Sequence, residues 1–184
     1  MSMVVKEFRT AADFWKGMVE PDYQDALADP ADLRAALHAA ISLFHLCDWV
    51  WHSHEKPVRD NFSFWDDATQ RNLAVHNDKS FANSLESCED FGRIRGIAHA
   101  SKHLKLKDIR PVPNAPRHAT NTAVRQEGDP SGGWGVGDFA YDVAGAYAGP
   151  LRVTLEGPPD LEFRDIAQAV HDMWSKLAAQ YGWW

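Results

Sequence analysis

Between Pro30 and Pro57 the chain runs without a Gly or another Pro. Stepped at about 100° per residue, Leu33, Leu37, Ile41, Leu43, Phe44, Leu46, Val50 and Trp51 cover well over half of a helix circumference. The remaining arc carries Arg34, His38, His45, Asp48 and His52. A helix face in water normally carries Lys and Glu in i,i+4 pairs, and the middle of this stretch has neither. The pattern predicts a helix over residues 30–54 that lies at the centre of the fold. Asp29-Pro30 is its expected start, since Asp caps free amides and Pro suits the first helical position. Pro57 is its expected stop. The polar strip is expected to face an interior groove, with His45, Asp48 and His52 on successive turns so that their heads converge.

The other elements follow from the same periodicity. Residues 8–20 read as a short amphipathic helix ended by Pro21. Short helices are expected near 66–76 and 80–88, and another over 91–104 capped by Asp90. Four of the ten prolines fall in residues 111–133, which read as a long exposed loop. Residues 134–147 and 151–156, joined by Ala148-Gly149-Pro150, read as a β-hairpin. Residues 164–181 carry Ile166, Val170, Met173, Trp174 and Leu177 along one side of a last helix. The expected fold is mainly α: a helical bundle with a small β-hairpin before the C-terminal helix. One domain is expected over 1–184, with a helical core at 8–107, the loop at 111–133, the hairpin region at 134–163 and the helix 164–181 packed on the core.

With 184 residues, 45% of them hydrophobic and 24% charged, the chain can bury a real core. A net charge of −7 argues against a polyanion-binding surface all round the molecule. Cys47 and Cys88 form no CxxC pair and read as reduced thiols. No apolar run approaches the ~20 residues a membrane helix needs. The first residues show no basic region followed by a long apolar stretch, so no signal peptide is expected and the location implied is cytoplasmic.

A second unusual row lies in residues 91–104. Arg95, His99 and His103 are spaced i, i+4, i+8, with Lys102 beside them and Lys105, Lys107 and Arg110 following. Such a row calls for an anion opposite it, and Asp48 is the expected one. Two chemistries fit. In the first, a His near neutral pKa moves a proton at a phosphodiester while an Arg holds the phosphate; this needs no cofactor. In the second, His99 and His103 bind a divalent transition metal from one helix, with His45, Asp48 or His52 completing the sphere from the facing one. A third reading is a non-catalytic protein with a buried His–Asp hydrogen-bond network.

Arg93-Ile94-Arg95-Gly96-Ile97-Ala98-His99 resembles the signature of HEPN domains, Arg followed after four to six residues by His. Ile94 stands where that family commonly carries a polar residue. The resemblance covers residues 30–104. It implies a small helical bundle, often a homodimer, and an RNA-directed ribonuclease or a degenerate relative connected with toxin–antitoxin or phage-defence systems. RNA is then the partner. Arg95 or Arg93 would clamp phosphate, His99 would be the acid/base, and His103 and Asp48 would orient or assist. The chain also resembles uncharacterised bacterial and phage helical proteins with a His45-Leu46-Cys47-Asp48-Trp49 segment and a later Ser101-Lys102-His103.

Overall fold

The computed structural model describes residues 8–101, 122–126, 148–153 and 161–184. The chain is mainly helical, with small antiparallel sheets ahead of the C-terminal helix.

The first helical run begins at α1 (Ala11–Phe14). Thr10 caps it in a reciprocal box with Asp13, and the Ala11 N–H donates to Ser53 Oγ at 2.9 Å. The run does not break at Pro21. It widens into a π-helical turn, Trp15–Val19, and continues as α2 (Glu20–Ala28) with Pro21 in its first turn. Glu20 N–H reaches back five residues to the Trp15 carbonyl. The extra residue in the turn shifts the ladder, so the proline meets it where no N–H is required. Gly17 sits in this turn because a Cβ there would run into the Phe8 ring.

The long helix α3 (Leu33–Asn61) starts three residues later than expected. Asp32 is its cap, accepting from Arg34 N–H at 2.8 Å and Ala35 N–H at 3.1 Å. Asp29 instead closes the turn before it through Ala31 N–H. Pro57 does not stop the helix. The backbone kinks at His54 (φ −139°, ψ 35°) and helical structure resumes to Asn61. A proline inside a helix has no N–H for the carbonyl four residues back and crowds it, and the kink absorbs both effects.

The short helix expected near 66–76 is a hairpin. Strands β1 (Ser63–Asp66) and β2 (Arg71–Ala74) pair antiparallel from Ser63↔Ala74 to Asp66↔Arg71. Asp66 Oδ2 accepts from both the N–H and the hydroxyl of Thr69, and Gln70 takes φ 53°. That side-chain-stabilised turn competes with a helical start. Helix α4 (Asp78–Leu85) follows, capped by Asn77 with Ser80. Helix α5 (Glu89–Ala100) begins before Asp90, which lies in its first turn rather than at its cap.

A three-stranded antiparallel sheet joins β3 (Thr122–Gln126), β4 (Ala148–Val153) and β5 (Leu161–Glu162). Here the expected boundaries move. Residues 122–126 are a strand within the expected loop, and Ala148-Gly149-Pro150 belongs to β4 rather than to a turn. The register runs Val124↔Leu151 and then Gln126↔Ala148, so Gly149 and Pro150 face one residue. A bulge is where a strand tolerates a residue without an N–H. Residues 134–147, expected as the first arm of the hairpin, lie outside the described residues.

Helix α6 (Phe163–Tyr181) closes the bundle. Trp174 is fully buried among Phe81, Phe91 and Trp183, and its indole N–H donates to the Leu43 carbonyl at 3.0 Å. Gly182 ends the helix at φ 66° with Trp183 N–H returning to Ala178 C=O. The turn folds the terminal aromatics back on the body: Trp183 is buried and Trp184 stacks on Trp15. No helix among the described residues is long and apolar enough to cross a membrane.

Candidate functional site

One member of the α3 strip, His45, meets Arg95 and His99 of α5 around one ring, whereas Arg34, His38 and His52 of that strip are exposed rather than turned into an interior groove. Phe44 lies on the half-buried edge of α3, and the His45 imidazole is 5.3 Å from its centroid. From α5, His99 lies 5.1 Å away and the Arg95 guanidinium carbon 5.9 Å. Arg95 and His99 share a face because they are four residues apart. Arg93 lies about a third of a turn from His99 and is bound within its own helix to Glu89 and Asp90.

Among the described residues, Asp48 pairs with His45 rather than with Arg95 of the α5 row. Its Oδ2 lies 3.2 Å from His45 Nδ1, one turn back on the same helix, and Cys47 Sγ lies 3.6 Å from its Oδ1. The counter-charge for Arg95 is Glu86, just beyond α4, with Asn83 Oδ1 accepting a second bond at 2.9 Å. Both arginines are committed in this way, with side chains only 13% and 14% exposed. A guanidinium that already holds a carboxylate this closely is poorly placed to clamp a phosphate.

An imidazole that donates from Nδ1 to a carboxylate is held in the tautomer that presents Nε2 as a base. The His45–Asp48 pair has that geometry, and its side chains are 33% and 44% exposed. His99, in contact with the same Phe44 ring, is partly buried. His52, one turn beyond Asp48, is exposed. Cys47 is buried, and burial, reinforced by Asp48, pushes its thiol well above 9.0. Burial thus favours the thiol over the thiolate, which is the nucleophilic form.

His52 and Asp48 also border a cleft of about 590 Å³ together with Arg9, Thr10, Trp49 and Trp183. Periodicity could not have linked Arg9 or Trp183 to Asp48, because they arrive from the two ends of the described chain. Trp49, adjacent to Asp48, was visible as part of a His-x-x-Asp-Trp segment. His54 also lines the cleft; burial lowers its pKa below 6.5. Among the described residues, no group of three or more His, Cys, Asp and Glu is arranged to hold a metal ion. His103, Lys102, Lys105, Lys107 and Arg110 lie outside the described residues.

No protein-family model matches this chain, and comparison with curated proteins and with solved structures finds no significant match.

Proposed function

We propose that the protein is an HEPN-like, metal-independent ribonuclease in which two imidazoles, His45 and His99, share the proton transfers. The observation that carries this reading is their placement against one ring, Phe44, with Asp48 holding His45 by its Nδ1. One imidazole takes the proton from a ribose 2′-hydroxyl, whose oxygen attacks phosphorus. The other gives a proton to the departing 5′-oxygen. The products are a 2′,3′-cyclic phosphate and a new 5′-hydroxyl. Each acid or base contributes about 10²–10⁴-fold to such a reaction. Arg95 acts here as a positioning residue beside Phe44 and His99.

The test is cleavage of single-stranded RNA with analysis of product ends. Cyclic phosphate ends that disappear in His99→Ala and His45→Ala support the reading. Equal cleavage by wild type and both variants overturns it.

A second reading has one observation in its favour. Arg93 and Arg95 are both bonded to carboxylates, as they would be in a degenerate relative whose signature helix serves structure alone. In that case Asp48→Ala lowers the melting temperature and no RNA is cut by the wild type.

A further inference from the structure

Apart from Asp48, the cleft beside it is built from parts that the acid–base reading leaves unused. Trp49 forms one wall, and Phe14 stacks on it at 5.0 Å with planes 12° apart. Trp183, only 5% exposed, forms another, with the His54 ring stacked on it at 5.8 Å. The bond from Ala11 N–H to Ser53 Oγ ties the Arg9–Thr10 side of the cleft to α3. The walls are tied by these contacts to the body of the fold. Their volume, about 590 Å³, lies inside the range of about 300–1,000 Å³ common to ligand sites.

The chemistry of the lining is two-sided. An indole offers a flat apolar surface to a planar ring. Exposed Arg9 brings positive charge to the lining of the same cleft, and exposed His52 adds an imidazole. A ligand that joins a flat heterocycle to a phosphate satisfies both halves. The cleft meets the candidate acid–base site at Asp48, which belongs to each.

We infer that this cleft is a nucleotide subsite: one base of a single RNA strand stacks on Trp49, and the adjoining phosphate lies by Arg9 and His52. The inference rests on the ribonuclease reading for the identity of the strand. Stacking of a base on an aromatic side chain is sequence-tolerant, so the subsite positions the strand without selecting a base. The scissile phosphate then falls one or more nucleotides away, over Phe44.

The probe is a single-stranded 2′-O-methyl RNA hexamer, which has no nucleophilic hydroxyl and cannot be cut. Its binding is measured by fluorescence anisotropy at about 50 mM salt, where phosphate contacts are strong. Trp49→Ala is expected to weaken binding at least about fivefold. Arg9→Ala is expected to lower the slope of log affinity against log salt by about 0.7, the share of one phosphate. Trp49→Phe guards against a folding failure in Trp49→Ala, with circular dichroism as the check. Loss of binding or of salt slope in any folded variant supports the subsite. Wild-type behaviour in Arg9→Ala and in every folded Trp49 variant overturns it, as does an absence of binding by the wild type. Binding without cleavage of ordinary RNA removes the ribonuclease reading and leaves the subsite. Cleavage with unchanged binding in the variants does the reverse.

Discussion

Tyr23 and His171 lie face to face, ring centroids 4.2 Å apart and planes 17° from parallel. The contact joins α2 to α6, and three neighbours strengthen it. His171 Nε2 is 2.9 Å from Glu20 Oε2, Tyr23 donates its hydroxyl to Gln168 Oε1, and Trp15 covers His171 from another side at 4.8 Å. The first helical run is thereby fastened to the last helix through aromatic and charged groups together.

Glu20 gives that junction a pH dependence. Burial raises its carboxyl pKa, but hydrogen bonds from His171 and Gln24 to the ionised form outweigh burial and leave it below 4.5. A carboxyl depressed by folding stabilises the native state fully above its unfolded pKa. That contribution is lost as pH falls through the lower folded value. The melting temperature of the wild type is therefore expected to exceed that of Glu20→Gln at pH 6. The gap should close as pH drops below about 4.5. A gap that stays constant to pH 3 would separate Glu20 from the junction.

Two glycines are expected to fail for different reasons. At Gly17 the obstacle is the Phe8 ring, which an added methyl would displace; overpacking of this kind costs about 1–3 kcal/mol. At Gly182 nothing lies within 4 Å of an added Cβ, but φ is +66°. A left-handed residue costs about 1–2 kcal/mol in non-glycine form. In urea unfolding, the Phe8→Ala background should rescue Gly17→Ala and leave Gly182→Ala unchanged. Equal behaviour of the two in that background would remove the Phe8 explanation.

The cysteines should separate under alkylation. Cys47 is buried with its thiol pushed well above 9.0, chiefly by burial, while Cys88 is partly exposed. Thiolate is the reactive form. Mass spectrometry after iodoacetamide treatment at pH 8 should show Cys88 modified in the folded protein and Cys47 modified only in denaturant. Early labelling of Cys47 would mean that α3 is not packed as described.

What could be read from the residues divides along physical lines. The helices α3 and α6 were legible because each buries an apolar stripe of helical period, and Trp174 and Leu43 sit in those stripes. Gly and Pro signals were less informative where the backbone had a way round them. Pro21 is absorbed by a π-helical turn, Pro57 by a kink three residues earlier, and Pro150 by a bulge. The hairpin at β1–β2 was hidden because Asp66 and Thr69 set its turn by side-chain bonds. In the site, the spacing of Arg95 and His99 placed them on one face of α5. Their counter-charge was not readable, since Glu86 reaches Arg95 across the turn between α4 and α5. Nor was the cleft, which depends on Arg9 and Trp183 converging on Asp48 from far along the chain.

The central claim is that His45 and His99 act together at the Phe44 ring. It is tested most directly by the single-turnover rate of single-stranded RNA cleavage in wild type, His45→Ala, His99→Ala and the double variant. Each single substitution is expected to slow cleavage by about 10²–10⁴-fold. The double variant should lose little more than the worse single one, because residues that act as a unit are not additive. Wild-type rates in both single variants, with the wild type cutting RNA, would contradict the account.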